Sequence, residues 1–92
     1  MAIHVKIPTP LRKFTAGQAT VTVEGATVGE ALKALDTAHS GLWDKVIDGR
    51  GKVRRFINVY AGDEDIRFLE GLETAMADGA ELSIIPAIAG GC

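Results

Sequence analysis

The sequence has few of the residues from which catalytic and metal-binding sites are built. It contains one cysteine, Cys92, so neither an internal disulfide nor a cysteine-based metal site can form. The two histidines, His4 and His39, have no cysteine or histidine nearby in sequence, which favours surface positions over metal ligation. Cys92 has no histidine neighbour to act as its base, and no serine–histidine–acid signature occurs. We therefore predict a protein that is not an enzyme by itself and that contains no catalytic residue, metal or cofactor.

An excess of one charge and a long apolar run are also missing. Ten Lys and Arg residues stand against twelve Asp and Glu residues, and a formal net charge of −2 argues against nucleic acid as a partner. No apolar run approaches the length of a membrane span, and the first residues alternate in polarity, unlike a signal-peptide core. We therefore expect a cytoplasmic protein that binds neither nucleic acid nor membrane. Its 47% apolar residues predict one small folded domain.

The residue patterns predict an α+β fold. Residues 3–7 and 19–23 alternate in polarity, which predicts two strands of an antiparallel hairpin joined by a long loop. Thr27 and Glu30 have the spacing of a capping box, so a helix should begin at Thr27 and end near residues 39–41, where Gly41 can form a left-handed cap. Later segments predict a helical turn at 43–47, strands at 53–60, 66–68 and 81–85, and a turn at 62–65. One main helix packed on one mixed sheet of four to five strands would bury these apolar faces.

Two charged clusters could act as binding sites. Residues 50–55 hold four cations without interleaved aromatic residues, so they predict either a solvated loop or a docking point for an acidic partner surface. Residues 63–65 are three consecutive acids, but they lack the spacing of a calcium-binding loop. We expect this second cluster to be a solvated turn.

The last residues differ from an ordinary chain end. The final strand should stop at Pro86, because proline has no backbone N–H to donate. The residues that follow are small, and Gly90 and Gly91 have no Cβ, so another surface can approach the backbone closely. This pattern predicts a domain at residues 1–86 and a flexible tail at 87–92 that suits a narrow channel in another protein. The alternative is a frayed terminus, which most chain ends are.

The chain resembles the MoaD/ThiS family of ubiquitin-like β-grasp sulfur carriers over essentially its whole length. The most specific parts of the resemblance are residues 58–60, 63–68 and 77–91, where two glycines follow the strand that proline ends. Within that family the chain is most similar to the CysO-type carriers of cysteine biosynthesis. The resemblance implies a ubiquitin-like β-grasp fold.

The resemblance also implies a function for the tail. A ubiquitin-activating-type, ATP-dependent adenylyltransferase/sulfurtransferase would adenylate the carboxylate of Gly91, and sulfur would then replace AMP to give a thiocarboxylate. A cysteine synthase-like enzyme would accept that sulfur. These partners would recognise the tail through Ala87, Ile88, Ala89, Gly90 and Gly91.

One residue departs from the family pattern, because Cys92 follows the second glycine. Cysteine in peptide linkage to Gly91 has the covalent structure of the adduct that CysO-type chemistry forms. Cys92 could instead be a short encoded extension that a JAMM-type zinc metallopeptidase removes, or a residue added for labelling or ligation. In all three cases Gly91 cannot be adenylated until Cys92 has been removed.

Two other functions fit the same motif. A ubiquitin-like modifier would be joined through Gly91 to lysines of other proteins. A small subunit of a molybdopterin synthase would bury the tail in a larger subunit.

Overall fold

The computed structural model describes residues 1–86, so the predicted tail lies outside the described residues. Five strands form one sheet: β1 (Ala2–Lys6), β2 (Thr20–Glu24), β3 (Ile57–Ala61), β4 (Glu64–Asp65) and β5 (Glu81–Pro86). The same residues also form two α-helices, α1 (Val28–Ala38) and α2 (Leu42–Val46), and three 3-10 helices at Thr9–Thr15, Ile66–Phe68 and Gly71–Glu73. The expected α+β architecture, with one main helix on a mixed sheet, is confirmed. Within residues 1–86, none of the helices has both the length and the apolarity that crossing a membrane requires.

The last strand occupies the middle of the sheet. The strand order is β2-β1-β5-β3-β4, in which β5 runs parallel to β1 and antiparallel to β3. The other two pairs, β1 with β2 and β3 with β4, are antiparallel hairpins. Because β5 is hydrogen-bonded on both sides, the chain leaves the domain from the centre of the sheet, between the end of β1 and the start of β3.

Alternation along the strands sends one set of side chains into a core beneath α1. On β1 and β5, Ile3, Val5 and Leu82 are fully buried. The helix contributes Leu32 and Leu35 to the same cluster. Burying side chains of this size stabilises the fold by roughly 1.5–3 kcal/mol each, before the cost of ordering the chain. In the part of the chain that the structure describes, every buried side-chain nitrogen and oxygen has a hydrogen-bond partner.

The start of α1 is the predicted capping box. The Oγ1 atom of Thr27 accepts a hydrogen bond from the backbone N–H of Glu30 at 3.2 Å. The Glu30 carboxylate accepts from the backbone N–H of Ala26 at 2.9 Å, one residue earlier than a capping box usually reaches. These bonds satisfy one backbone donor of the first helical turn, that of Glu30, and one donor just before the helix, that of Ala26.

The end of α1 lies where it was predicted, but Gly41 does not cap it. The helix stops at Ala38, and Gly41 takes its left-handed φ of 103° immediately before α2, not as the cap of α1. The carboxylate of Asp36 causes this turn, since its Oδ1 accepts from the N–H groups of Gly41 at 3.0 Å and Trp43 at 3.1 Å. A side chain inside α1 thus binds the start of α2 and sets the angle between the two helices.

The predicted boundaries of β3 and β4 were wrong. The chain turns before Ile57, whose N–H donates to the carbonyl of Arg54 at 2.9 Å, so β3 begins four residues later than predicted. Gly62 adopts a φ of 65° and makes the following turn only two residues long, which pairs Glu64 with Ala61 as a short strand. Residues 66–68 then form a 3-10 helix, where the sequence pattern had predicted a strand.

The segment predicted as a loop after β1 is also ordered, as the 3-10 helix Thr9–Thr15. Pro10 lies in its first turn, where the missing N–H of proline breaks no hydrogen bond. The Thr15 hydroxyl is buried and lies 2.8 Å from the carbonyl oxygen of Gln18. This local bond closes the segment before β2 begins.

We predict that Thr27→Ala destabilises the domain by about 1 kcal/mol, because the cap of α1 is lost. The matched control is Thr37→Ala, an exposed position in the same helix whose hydroxyl donates to the carbonyl of Lys33. That control should change the free energy of unfolding by about 0.5 kcal/mol or less. Urea denaturation of the two variants and the parent checks this. Equal losses at both positions would show that the cap contributes nothing specific.

Candidate functional site

The candidate site lies where β5 ends. The predicted site residues Ala87, Ile88, Ala89, Gly90, Gly91 and Cys92 lie outside the described residues, so the structure locates only the point to which they are attached. At that point Pro86 pairs with Ile57 at the start of β3. On the other side of β5, Ser83 pairs with Lys6 at the end of β1. The tail therefore begins between two strand ends that can contact whatever binds it.

The face of the sheet opposite α1 carries a mixed polar and apolar surface next to this point. Leu82 and Ile84 point into the core, so Ser83 and Ile85 lie on the opposite face by strand alternation. Ile85 is 45% exposed and pairs with Asn58 of β3. Ile85 therefore offers an exposed apolar side chain that a partner can bury when it binds the tail.

We call the end of β5, where the tail begins, the exit. A shallow cavity lies on the β1 side of the exit. Its volume is about 300 Å³, and the residues in its wall include Lys6, Pro8, Thr9, Arg12, Ile85 and Pro86.

 Arg12 donates from Nε to the carbonyl of Ile7 at 3.1 Å, which holds the 3-10 helix against the end of β1. Two cations beside an apolar floor could hold an extended backbone and its carbonyl oxygens.

The β3 side of the exit is organised by one guanidinium. Arg67 donates from Nη1 to the side-chain oxygen of Asn58 at 2.7 Å, and from Nη2 to the carbonyls of Ile57 at 2.7 Å and Arg54 at 3.0 Å. Asp65 accepts from the backbone N–H of Arg67 at 2.8 Å, which directs the side chain back toward β3. The sequence pattern had identified Arg67 only as a strand residue, yet it fixes the segment that precedes β3.

Two exposed aromatic residues lie near this segment. Phe56 is 67% exposed, directly before β3, and Phe68 is 85% exposed, at the end of a 3-10 helix. The Arg55 guanidinium lies 5.5 Å from the centre of the Phe56 ring. Sequence reasoning placed both aromatics in strands and missed their exposure. Strand alternation was the signal that could have revealed the exposure of Phe56. Ile57 and Val59 are buried, so the side chain one position before Ile57 is expected on the opposite face.

The remaining polar candidates have structural partners. The Nδ1 atom of His4 lies 3.1 Å from the Thr22 hydroxyl, and His39 caps the end of α1. Asp65, in the acidic cluster, binds Arg67 through its carboxylate. Across residues 1–86, no three His, Cys, Asp or Glu side chains come close enough together to bind a metal ion.

We predict that Arg67→Ala destabilises the domain by about 1–3 kcal/mol, because the carbonyls of Arg54 and Ile57 lose their charged donor. Arg67→Lys should recover only part of the loss, since one ammonium group cannot reproduce the guanidinium fork. Urea denaturation measures the stability, and hydrogen exchange at residues 54–58 reports local opening. Arg50→Ala is the control, because it also removes an exposed arginine. Equal stability of the Arg67→Ala and Arg50→Ala variants would contradict the assigned role.

Comparison with solved structures places the fold. The carrier in the crystal structure of the Amycolatopsis orientalis BexX/CysO complex superposes with a TM-score of 0.91 at 44% identity, covering 96% of this chain and 98% of that one. The crystal structure of small archaeal modifier protein 1 from Haloferax volcanii has a TM-score of 0.80 at 34% identity, covering 98% and 99%. The fold is therefore the ubiquitin-like β-grasp that the resemblance implied.

Comparison with curated sequences gives the same assignment. The sulfur carrier protein CysO of Mycobacterium tuberculosis is 45% identical over 93 residues, which cover 99% of this chain and 100% of the relative. The ThiS family matches residues 5–91, so the match ends at Gly91. With a family match over nearly its whole length and a close full-length relative, the chain belongs to the ThiS family of ubiquitin-like proteins.

Proposed function

We propose that this chain is a sulfur carrier for cysteine or a related sulfur-containing metabolite. The observation that carries the proposal is the family match through Gly91, on a domain whose central strand ends five residues earlier at Pro86. In this proposal residues 1–86 are the recognition domain and residues 87–92 are the segment that enters partner active sites. Six residues can span at most roughly 20 Å when extended, enough for a reactive group to reach inside a partner while the domain stays outside.

The domain gives Gly91 no catalytic help, so the chemistry belongs to partners. The Gly91 carboxylate attacks the α-phosphate of ATP in an activating enzyme, which forms an acyl-adenylate and releases pyrophosphate. A sulfur nucleophile supplied by that enzyme system then displaces AMP and leaves a thiocarboxylate. Adenylation matters because a carboxylate is a poor electrophile and AMP is a good leaving group. Glycine at the reacting position gives the carbonyl steric access.

The thiocarboxylate then acts as the sulfur donor. In a cysteine synthase-like enzyme its sulfur bonds to the β-carbon of an activated serine derivative, the bond from that carbon to the activated oxygen breaks, the activating group leaves with that oxygen, and a thioester results. An S-to-N acyl shift moves the Gly91 acyl group onto the amine and leaves cysteine in amide linkage to Gly91. Hydrolysis of that amide by a JAMM-type zinc metallopeptidase releases cysteine and restores the Gly91 carboxylate. We place this cycle in the cytoplasm.

Cys92 has the same linkage as the product of that acyl shift, so one peptidase would serve both an adduct and an encoded precursor. Hydrolysis of an amide needs a polarised carbonyl and an activated water, which a catalytic zinc ion in the peptidase supplies. Gly90 and Gly91 precede the bond and remove side-chain bulk from the cleavage site.

A second function, conjugation to lysines of other proteins, has one finding in its favour. Small archaeal modifier protein 1 of Haloferax volcanii is 39% identical over 79 residues, which cover 83% of this chain. A modifier and a carrier would share the adenylation of Gly91. They would differ in the nucleophile that attacks the activated carbonyl, which is a lysine amine for a modifier and a sulfur nucleophile for a carrier. The other alternative, a molybdopterin synthase subunit, stays a prediction from the family resemblance.

We predict that removal of Cys92 must precede activation. Incubation of the full chain with ATP and the activating enzyme should give no adenylate, whereas prior treatment with a JAMM-type peptidase should remove one cysteine and allow adenylate and thiocarboxylate to form. Intact mass spectrometry follows each step.

The control is a chain that ends at Gly91, which should be activated without the peptidase. A Gly91→Ala version of that shortened chain should fold normally and form thiocarboxylate more slowly, because its Cβ crowds the reacting carbonyl. Thiocarboxylate formation on Cys92 of the uncut chain, at the rate of the shortened chain, would contradict the processing step.

A further inference from the structure

The charge of the chain is distributed unevenly. Residues 44–55 contain five cations, Lys45, Arg50, Lys52, Arg54 and Arg55, against two acids, Asp44 and Asp48, for a formal charge of +3. Since the whole chain carries −2, the remaining residues sum to −5. A protein that is acidic overall thus presents one basic surface, which we call the basic platform.

The platform is not neutralised by ion pairs. The three salt bridges found within residues 1–86 involve the N-terminus, Lys6 and Arg67, and none involves a cation of the platform. Asp48 is engaged locally, since its carboxylate accepts from the backbone N–H groups of Arg50 at 2.8 Å and Lys52 at 3.1 Å. These bonds hold the pKa of Asp48 below its usual value and fold the loop that displays the cations.

The platform also has an apolar centre. A cavity of about 510 Å³ is lined by Lys45, Asp48 and residues 52–57, which include the exposed ring of Phe56. An aromatic residue surrounded by cations is suited to an acidic partner that also offers an apolar side chain. Arg67 fixes the backbone of this segment, so its geometry is preorganised before any partner arrives.

The position of the platform narrows the choice of partner. Ile57, in the cavity wall, pairs with Pro86, the last described residue before the tail. Any enzyme that draws in the tail must therefore cover or border this surface. Apart from Ile88, the side chains of the tail are small, so the domain has to supply much of the specificity.

We propose that the basic platform docks on an acidic surface of the activating enzyme, beside the entrance that receives the tail, with Phe56 as the apolar anchor. This inference rests on the proposed function. Once Cys92 has been removed, the activating enzyme is the next protein in the cycle that has to select this carrier. Opposite charges at the entrance speed the encounter and orient the tail toward the active site.

The test measures binding of the chain that ends at Gly91 to the purified activating enzyme of the same cells, without ATP, by isothermal titration calorimetry. The double variant Lys52→Gln with Arg55→Gln removes two platform charges whose side chains make no hydrogen bond within residues 1–86. The control, Gln18→Glu with Thr20→Glu, makes the same change in net charge on exposed positions near β2, at the opposite edge of the sheet.

We expect the platform variant to bind about tenfold more weakly at low salt and the control variant to stay within about twofold of the parent. Added salt should weaken the parent more than the platform variant, because screening acts on the charges that the variant has lost. Phe56→Ala should weaken binding while keeping the salt dependence of the parent, whereas Phe68→Ala should bind normally. Equal affinity of the platform and control variants, or no binding of the parent, would overturn the inference.

A second readout separates this inference from the proposed function. With chains that end at Gly91, the platform variant should raise KM for adenylation and leave kcat unchanged. Adenylation with an unchanged KM would refute the platform and leave the carrier function intact. Platform-dependent binding without any adenylation would refute the carrier function and leave the docking surface intact.

Discussion

The central position of β5 is the constraint on which the rest of the structure depends. Hydrogen bonds to β1 on one side and β3 on the other hold this strand, while Leu82 and Ile84 fix its register from below. Pro86 is the last described residue of β5, and it has no backbone N–H to donate to a neighbouring strand. A rigid strand anchored in the core therefore delivers the segment that follows it to one defined place. A tail attached to an edge strand would lack that second row of hydrogen bonds.

Two arginines hold the backbone on the two sides of the exit. On the β1 side, Arg12 braces a 3-10 helix against the strand end. On the β3 side, Arg67 fixes the turn that carries Phe56 and the basic platform. Both arginines hold the neighbouring backbone in place through hydrogen bonds to carbonyl oxygens. For a protein whose partners perform the chemistry, a defined surface beside the tail is what selects those partners.

Local chemistry was predictable from the sequence, and long-range contacts were not. The capping box at Thr27 and the alternation of β1 depend on neighbours a few residues away, and both were predicted. The boundary of β4 depended on the left-handed turn at Gly62, and the role of Arg67 depends on carbonyls ten and thirteen residues away. The cations of the platform were visible in sequence, but their position beside Pro86 follows from strand order alone. The reactive role of Gly91 stays a prediction, because it lies outside the described residues.

The most direct test of the account is the intact mass of the protein isolated from its own cells. The account predicts a population that ends at Gly91 with one carboxylate oxygen replaced by sulfur, together with a population that carries cysteine at Gly91. Sulfur-specific alkylation should label the first population and shift its mass. A protein found only as conjugates to lysine, or one that never carries sulfur at Gly91 under conditions of active cysteine synthesis, would contradict the carrier function.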